Sequence, residues 1–209
     1  ITAVKDYAFA GCRALTKITL GELTEIGAYA FHRTSITSAH KLDKVEKIGD
    51  YAYAETQILQ VEIPNDKIVG TGAFQDCARL MIVKIGNNVK LGASAFRTNN
   101  LKQENVNYAL VKKDVDGKEI YFYEYYSKLT SITIGENVSI GNGAFYGAVS
   151  VKTITLGKGA KIGPYAFYNA NSLESIDLSK AISIGSDAFS GDVMYQFVEQ
   201  KDAYGQTAL

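Results

Sequence analysis

Apolar and polar residues alternate along this chain in short bursts that return at a fixed interval. Leu173-Glu174-Ser175-Ile176-Asp177-Leu178 is one such burst. Others are Leu15-x-x-Ile18-Thr19-Leu20, Leu80-x-x-Val83-Lys84-Ile85, Leu129-x-x-Ile132-Thr133-Ile134 and Val151-x-x-Ile154-Thr155-Leu156. A period of two marks a half-buried strand. Ahead of the bursts stands a second block, Ile-Gly-x-x-Ala-Phe, whose last aromatic falls at Phe9, Phe31, Tyr53, Phe74, Phe96, Phe145, Phe167 and Phe189. The gaps are 22, 22, 21, 22, 49, 22 and 22 residues. Such a beat predicts a solenoid, in which each coil buries its apolar face only against its neighbours. Equivalent strands then stack in parallel, because the chain always travels the same way round. A coil of 22 residues is too short to carry a full helix, so the back should hold short turns, 3₁₀ pieces and a second narrow ladder.

The repeat columns assign structural roles to residues that otherwise look chemical. The glycines at 27, 49, 92, 141, 163 and 185 read as turn positions where a side chain would clash or where φ is positive. Ala-Phe is expected to open a short helical turn whose aromatic fills the core. Cys12 and Cys77 each follow a repeat Phe by three residues, in repeats one and four. Three strand spacings separate them by about 14 Å, beyond the roughly 7 Å a disulfide spans. They are expected as two separate, buried, reduced thiols. Gly141-Asn142-Gly143 and Gly157-Lys158-Gly159 lie inside the repeat frame and do not continue into a phosphate-binding signature.

Ile-Gly-x-x-Ala-Phe followed by Leu-x-x-Ile-x-Ile/Leu resembles the BspA-like (Treponema pallidum type) leucine-rich repeat. The resemblance covers about eight units and breaks between residues 101 and 127 and after Phe189. Cys at the position after the Phe survives only at 12 and 77, and the strand-end Pro only at Pro64. Repeat two is irregular from Ile36 to Leu42. The resemblance implies a curved, right-handed leucine-rich-repeat solenoid with its parallel β-ladder on the concave side and short turns or 3₁₀ pieces on the convex side. It also implies a bacterial protein displayed at the cell surface or secreted, of a kind associated with adhesion.

The gap of 49 exceeds the repeat by 27 residues. Within it, Asp116-Gly117 joins two β-prone runs and predicts a hairpin, inserted at 102–126, with a type I′ turn. Tyr108, Tyr121, Tyr123 and Tyr125 lie on one face of that hairpin, and Val111, Phe122 and Ile120 on the other. With both faces apolar, at least one must be covered, by the solenoid or by a partner. Tyrosine suits a contact surface because it brings large area, few rotors and a polar tip. Asp114-x-Asp116-Gly117 lacks the remaining ligands of a calcium loop.

Composition narrows function further. Lys plus Arg equal Asp plus Glu at 22 each, so no net field favours nucleic acid or an anionic membrane. No apolar run reaches the roughly 18 residues of a membrane span. The chain opens on Ile1 directly into a repeat, which reads as a processed or trimmed piece. His32 and His40 are the whole histidine supply and are expected on the surface or in loops, without metal-ligand spacing. No catalytic motif, cofactor box or metal site emerges, so the expectation is a non-enzyme with no cofactor. Between the buried strand positions a stripe points outward that includes Lys17, Thr19, Lys84, Thr133, Thr155 and Asp177. Residues 1–198 are read as a single solenoid, with 199–209 a tail or the start of a further segment. The expected function is a monomeric protein- or glycan-binding module of an adhesin. It would contact a host matrix protein, cell-surface protein or glycan through the Tyr-rich hairpin, the concave sheet or both. The alternative is a spacer that displays another domain.

Overall fold

The computed structural model describes residues 1–98 and 127–191. The predicted hairpin at 102–126 and the tail at 199–209 lie outside them. The described chain is a parallel β-solenoid with two ladders and almost no helix. One ladder is a five-stranded sheet of the alternating bursts: β4 (Gln60–Ile63), β6 (Ile82–Ile85), β8 (Ser131–Ile134), β10 (Thr153–Leu156) and β12 (Ser175–Ile176). The other has eight short strands: β1 (Ala3–Val4), β2 (Glu25–Ile26), β3 (Lys47–Ile48), β5 (Ile68–Val69), β7 (Lys90–Leu91), β9 (Ser139–Ile140), β11 (Ala160–Ile162) and β13 (Ala181–Ile184). Every pairing is parallel. The second ladder, expected as a minor feature, thus spans more coils than the first.

The repeat aromatics form the spine of the core. Tyr53, Phe74, Phe96, Phe145 and Phe167 are fully buried and stack successively, with centroids 5.1 to 5.2 Å apart and planes within 4°. The centroid spacing follows the strand repeat of about 4.8 Å, so each coil adds one ring to a continuous stack. Burying one such ring contributes about 1.5–3 kcal/mol. The stack passes over the insertion without a break. Phe145 follows Phe96 at 5.2 Å, and Ile82, Val83, Lys84 and Ile85 pair with Ser131, Ile132, Thr133 and Ile134.

Three expectations are corrected. The turn around each aromatic is not helical. Backbone N–H groups alternate: Tyr29, Phe31 and Arg33 donate to Asp50, Ala52 and Ala54 of the next coil, while His32 closes a tight turn to Tyr29. This alternation places left-handed residues two before the aromatic (Tyr29, φ 55°; Tyr51, φ 55°) and two after it (Arg33, φ 59°; Glu55, φ 56°). The glycine column four before the aromatic therefore serves close approach. A Cβ on Gly49 would lie 2.3 Å from the carbonyl carbon of Gly27.

Secondly, Leu15–Leu20 forms no strand, and neither does Ile36–Leu42. With no partner in coil two, the first coil's alternating residues have nothing to pair with. Thirdly, Cys12 is exposed while Cys77 is buried, and both are free. Cys12 belongs to the outermost coil, whereas Cys77 donates its Sγ hydrogen to the Tyr53 carbonyl at 3.2 Å.

Candidate functional site

The five-stranded ladder stops abruptly at β4, and the reason is legible in one column. The residue after each strand's last buried position is Gly86, Gly135 or Gly157, and its N–H donates to Ile63, Ile85 or Ile134 of the preceding coil, each at 2.8 Å. In coils two and three that position is Asp43 and Pro64. Proline has no N–H to give, so the bond that would tie coil three to coil two is missing. Coil three is also one residue shorter than its neighbours between aromatic and strand. Leu59 still donates to the Thr37 carbonyl at 3.1 Å, but no backbone hydrogen bond joins Ser38–Lys41 to the coil on either side.

The unlaced segment is held by its side chains instead. His40 occupies the core column filled elsewhere by Ile18, Val83, Ile154 and Ile176. Its ring stacks on Phe31 at 4.7 Å, and Nδ1 meets the Tyr53 hydroxyl at 3.1 Å. Burial lowers its pKa, favouring the neutral ring. The same burial raises the Tyr53 phenol, which is sealed from solvent. His40 is thus partly buried rather than the surface residue expected. His32 is also part-buried and meets Glu55 Oε1 at 3.2 Å.

A groove of about 390 Å³ opens between this segment and the ladder, lined by His40, Lys41, Asp43, Gln60, Glu62 and Lys84 among others. A smaller recess of about 180 Å³ lies on the other side, against Thr16, Lys17, Ile18 and Thr37. His40 borders both.

The residues expected on the outer face are partly brought together. Lys84, Thr133 and Thr155 stand in register on β6, β8 and β10, continuing from Glu62 on β4. All are exposed. Lys17 and Thr19 are exposed too, but they stand beyond the unpaired segment. Asp177 is committed to capping the 3₁₀ turn Leu178–Lys180. Its Oδ1 accepts from the Ser179 N–H at 3.1 Å and the Ser179 hydroxyl at 2.5 Å. Those bonds hold its carboxyl below the ordinary range. Tyr108, Tyr121, Tyr123 and Tyr125 lie outside the described residues. The groove itself was not expected from the sequence, although Pro64, Asp43 and His40 are the three column breaks that produce it. No described helix is long and apolar enough to cross a membrane.

Two solved bacterial structures are similar to this chain. A leucine-rich repeat protein from Bacteroides ovatus ATCC 8483 is 19% identical over 91% of this chain and 64% of its own, with a TM-score of 0.35. The pneumococcal vaccine antigen PcpA is 19% identical over 88% of this chain and 64% of its own, with a TM-score of 0.33. This chain therefore spans just under two thirds of each. No curated protein matches the sequence. Residues 1–110 and 118–200 match the BspA type leucine rich repeat region, in six copies. The match resumes well before residue 127, so it reaches further into the insertion than the quoted motifs do. With its Ile-Gly-x-x-Ala-Phe turns stacked in a parallel solenoid, the chain belongs to the BspA type leucine-rich-repeat family.

Proposed function

We propose that this chain is a non-catalytic binding module of a bacterial cell-surface or secreted repeat protein, and that the groove beside β4 is its main contact surface. The observation that carries the reading is the absence of the ladder from coils one and two, which leaves β4 of coil three as its edge. A regular solenoid face offers only a flat row of small exposed side chains. Here the same face carries a concavity with convergent polar groups and an apolar floor, the ordinary form of a binding site. Membership of the repeat family supports display outside the cell and protein or glycan partners. The tyrosines at 108, 121, 123 and 125 remain a second candidate contact.

The test is an array of extracellular-matrix proteins, cell-surface proteins and glycans probed with the parent chain and two variants. One carries Lys41→Ala, Glu62→Ala and Lys84→Ala; the other carries Tyr121→Ser, Tyr123→Ser and Tyr125→Ser. A specific partner whose binding falls with the first variant supports the groove, and one that responds to the second moves the contact to the insertion. If the parent binds nothing on the array, the module is a spacer and the reading fails.

A further inference from the structure

We infer that the edge of β4 takes up an extended peptide segment of a partner protein as an added strand. The inference deepens the binding reading and rests on it. Its basis is the direction of the backbone groups in the ladder. Ser131 and Gly135 donate backward to Met81 and Ile85, and Ile134 accepts forward from Gly157. The exposed strand positions thus point their N–H and C=O groups toward the preceding coil, and the buried positions point theirs toward the next. By register, Gln60 and Glu62 are the equivalents of Ser131 and Thr133. Their backbone groups face coil two, where β4 has no partner, and no hydrogen bond from them to that coil is formed.

A row of alternate donors and acceptors at strand spacing complements another extended backbone and little else. The four residues of β4 offer about 13 Å of such edge. The groove gives an added strand somewhere to lie, and its rim selects weakly by charge, since Lys41 and Lys84 balance Asp43 and Glu62. Side-chain preference would come from the apolar surface of Ile82 and Pro64, which also line the groove.

The experiment uses a random linear-peptide phage library selected against the full chain, followed by synthesis of an enriched peptide. Binding of that peptide is compared for the parent, Glu62→Pro and Glu62→Ala. Proline removes the N–H that faces the groove and leaves the β6 side intact, a position where edge strands accept it. Glu62→Pro should weaken binding about tenfold beyond Glu62→Ala, which loses the same side chain but keeps the N–H, the effect of one sheltered hydrogen bond. N-methylation along the peptide should then weaken binding at every second residue, and this scan stands even if Glu62→Pro fails to fold. Equal binding by a folded Glu62→Pro and the parent overturns the inference, as does equal loss in Glu62→Ala or an N-methyl profile without period two. If array partners bind but no peptide is enriched, strand addition fails while the binding reading survives.

Discussion

The Nδ1 of His40 lies 3.1 Å from the hydroxyl of Tyr53, and each residue accounts for the other's departure from the repeat. A phenol in a column of phenylalanines needs a hydrogen-bond partner, and an imidazole in a column of isoleucines needs the same. Tyr53→Phe alone should destabilise the solenoid by about 1–2 kcal/mol, because it strands a part-buried ring nitrogen. Tyr53→Phe combined with His40→Ile restores both columns and should recover most of that loss. Urea unfolding of the two single variants and the double variant reads the coupling.

The same pair sets a pH response. Burial holds the folded imidazole below its ordinary value of 6.5, so the unfolded chain takes up the proton first. The stability from the neutral ring is therefore fully present above pH 6.5 and is lost as pH falls toward the lowered folded value. Thermal midpoints between pH 7.5 and 5.5 should fall in the parent. In the His40→Ile, Tyr53→Phe double variant that slope should be shallower, and an unchanged slope would assign it to other groups.

Glycine substitutions should divide by cause. A Cβ at Gly92 meets the Gly70 carbonyl carbon at 2.6 Å and the Thr71 nitrogen at 2.7 Å, both backbone atoms that cannot rotate away. Gly92→Ala should cost about 3 kcal/mol, at the upper end of overpacking effects. Gly11 has φ +75° with nothing within 4 Å of a Cβ, so Gly11→Ala pays only the conformational strain of about 1–2 kcal/mol. Denaturation midpoints that rank the two in the opposite order would refute the close-approach reading.

The cysteines should differ in reactivity. Cys12 is exposed. Burial pushes the Cys77 thiol up to about 11, which leaves almost no thiolate at neutral pH. A maleimide should modify one thiol in the folded chain and both after denaturation. Peptide mapping should place the first label on Cys12.

Removing residues 100–126 returns Phe96 and Phe145 to a separation of 22 residues. Since β6 and β8 already pair in register, the shortened chain should retain its far-ultraviolet spectrum and a thermal midpoint within about 3 °C of the parent, a shift of roughly 1 kcal/mol or less. A collapse of the midpoint would show that the insertion holds the coils together.

The beat of aromatics was enough to read parallel coils, a buried ring spine and the outward stripe, because each is a property of a whole column. What escaped were properties of single breaks in a column. Pro64 was legible as a strand-end residue, but its missing N–H matters only once the donors of Gly86, Gly135 and Gly157 are seen to form a line. His40 sits among polar residues in a poorly patterned stretch, and only the ring beside Phe31 shows it to be a core residue. The left-handed turn positions were invisible for a different reason. Tyr29, Arg33 and Glu55 are not residues that advertise positive φ, and hydrogen bonds to the next coil impose it on them. Cys12 was misplaced because a column argument assumes a neighbour on both sides.

The pairing of β6 with β8 across 27 surplus residues divides the chain by what the ladder's register demands of it. Substitutions in the coils are judged by the neighbours above and below, which tolerate little. The register of the ladder makes no demand on residues 100–126, because β6 and β8 pair in line without them. A lineage can therefore lengthen or shorten the chain at that point without resetting the register of the coils on either side.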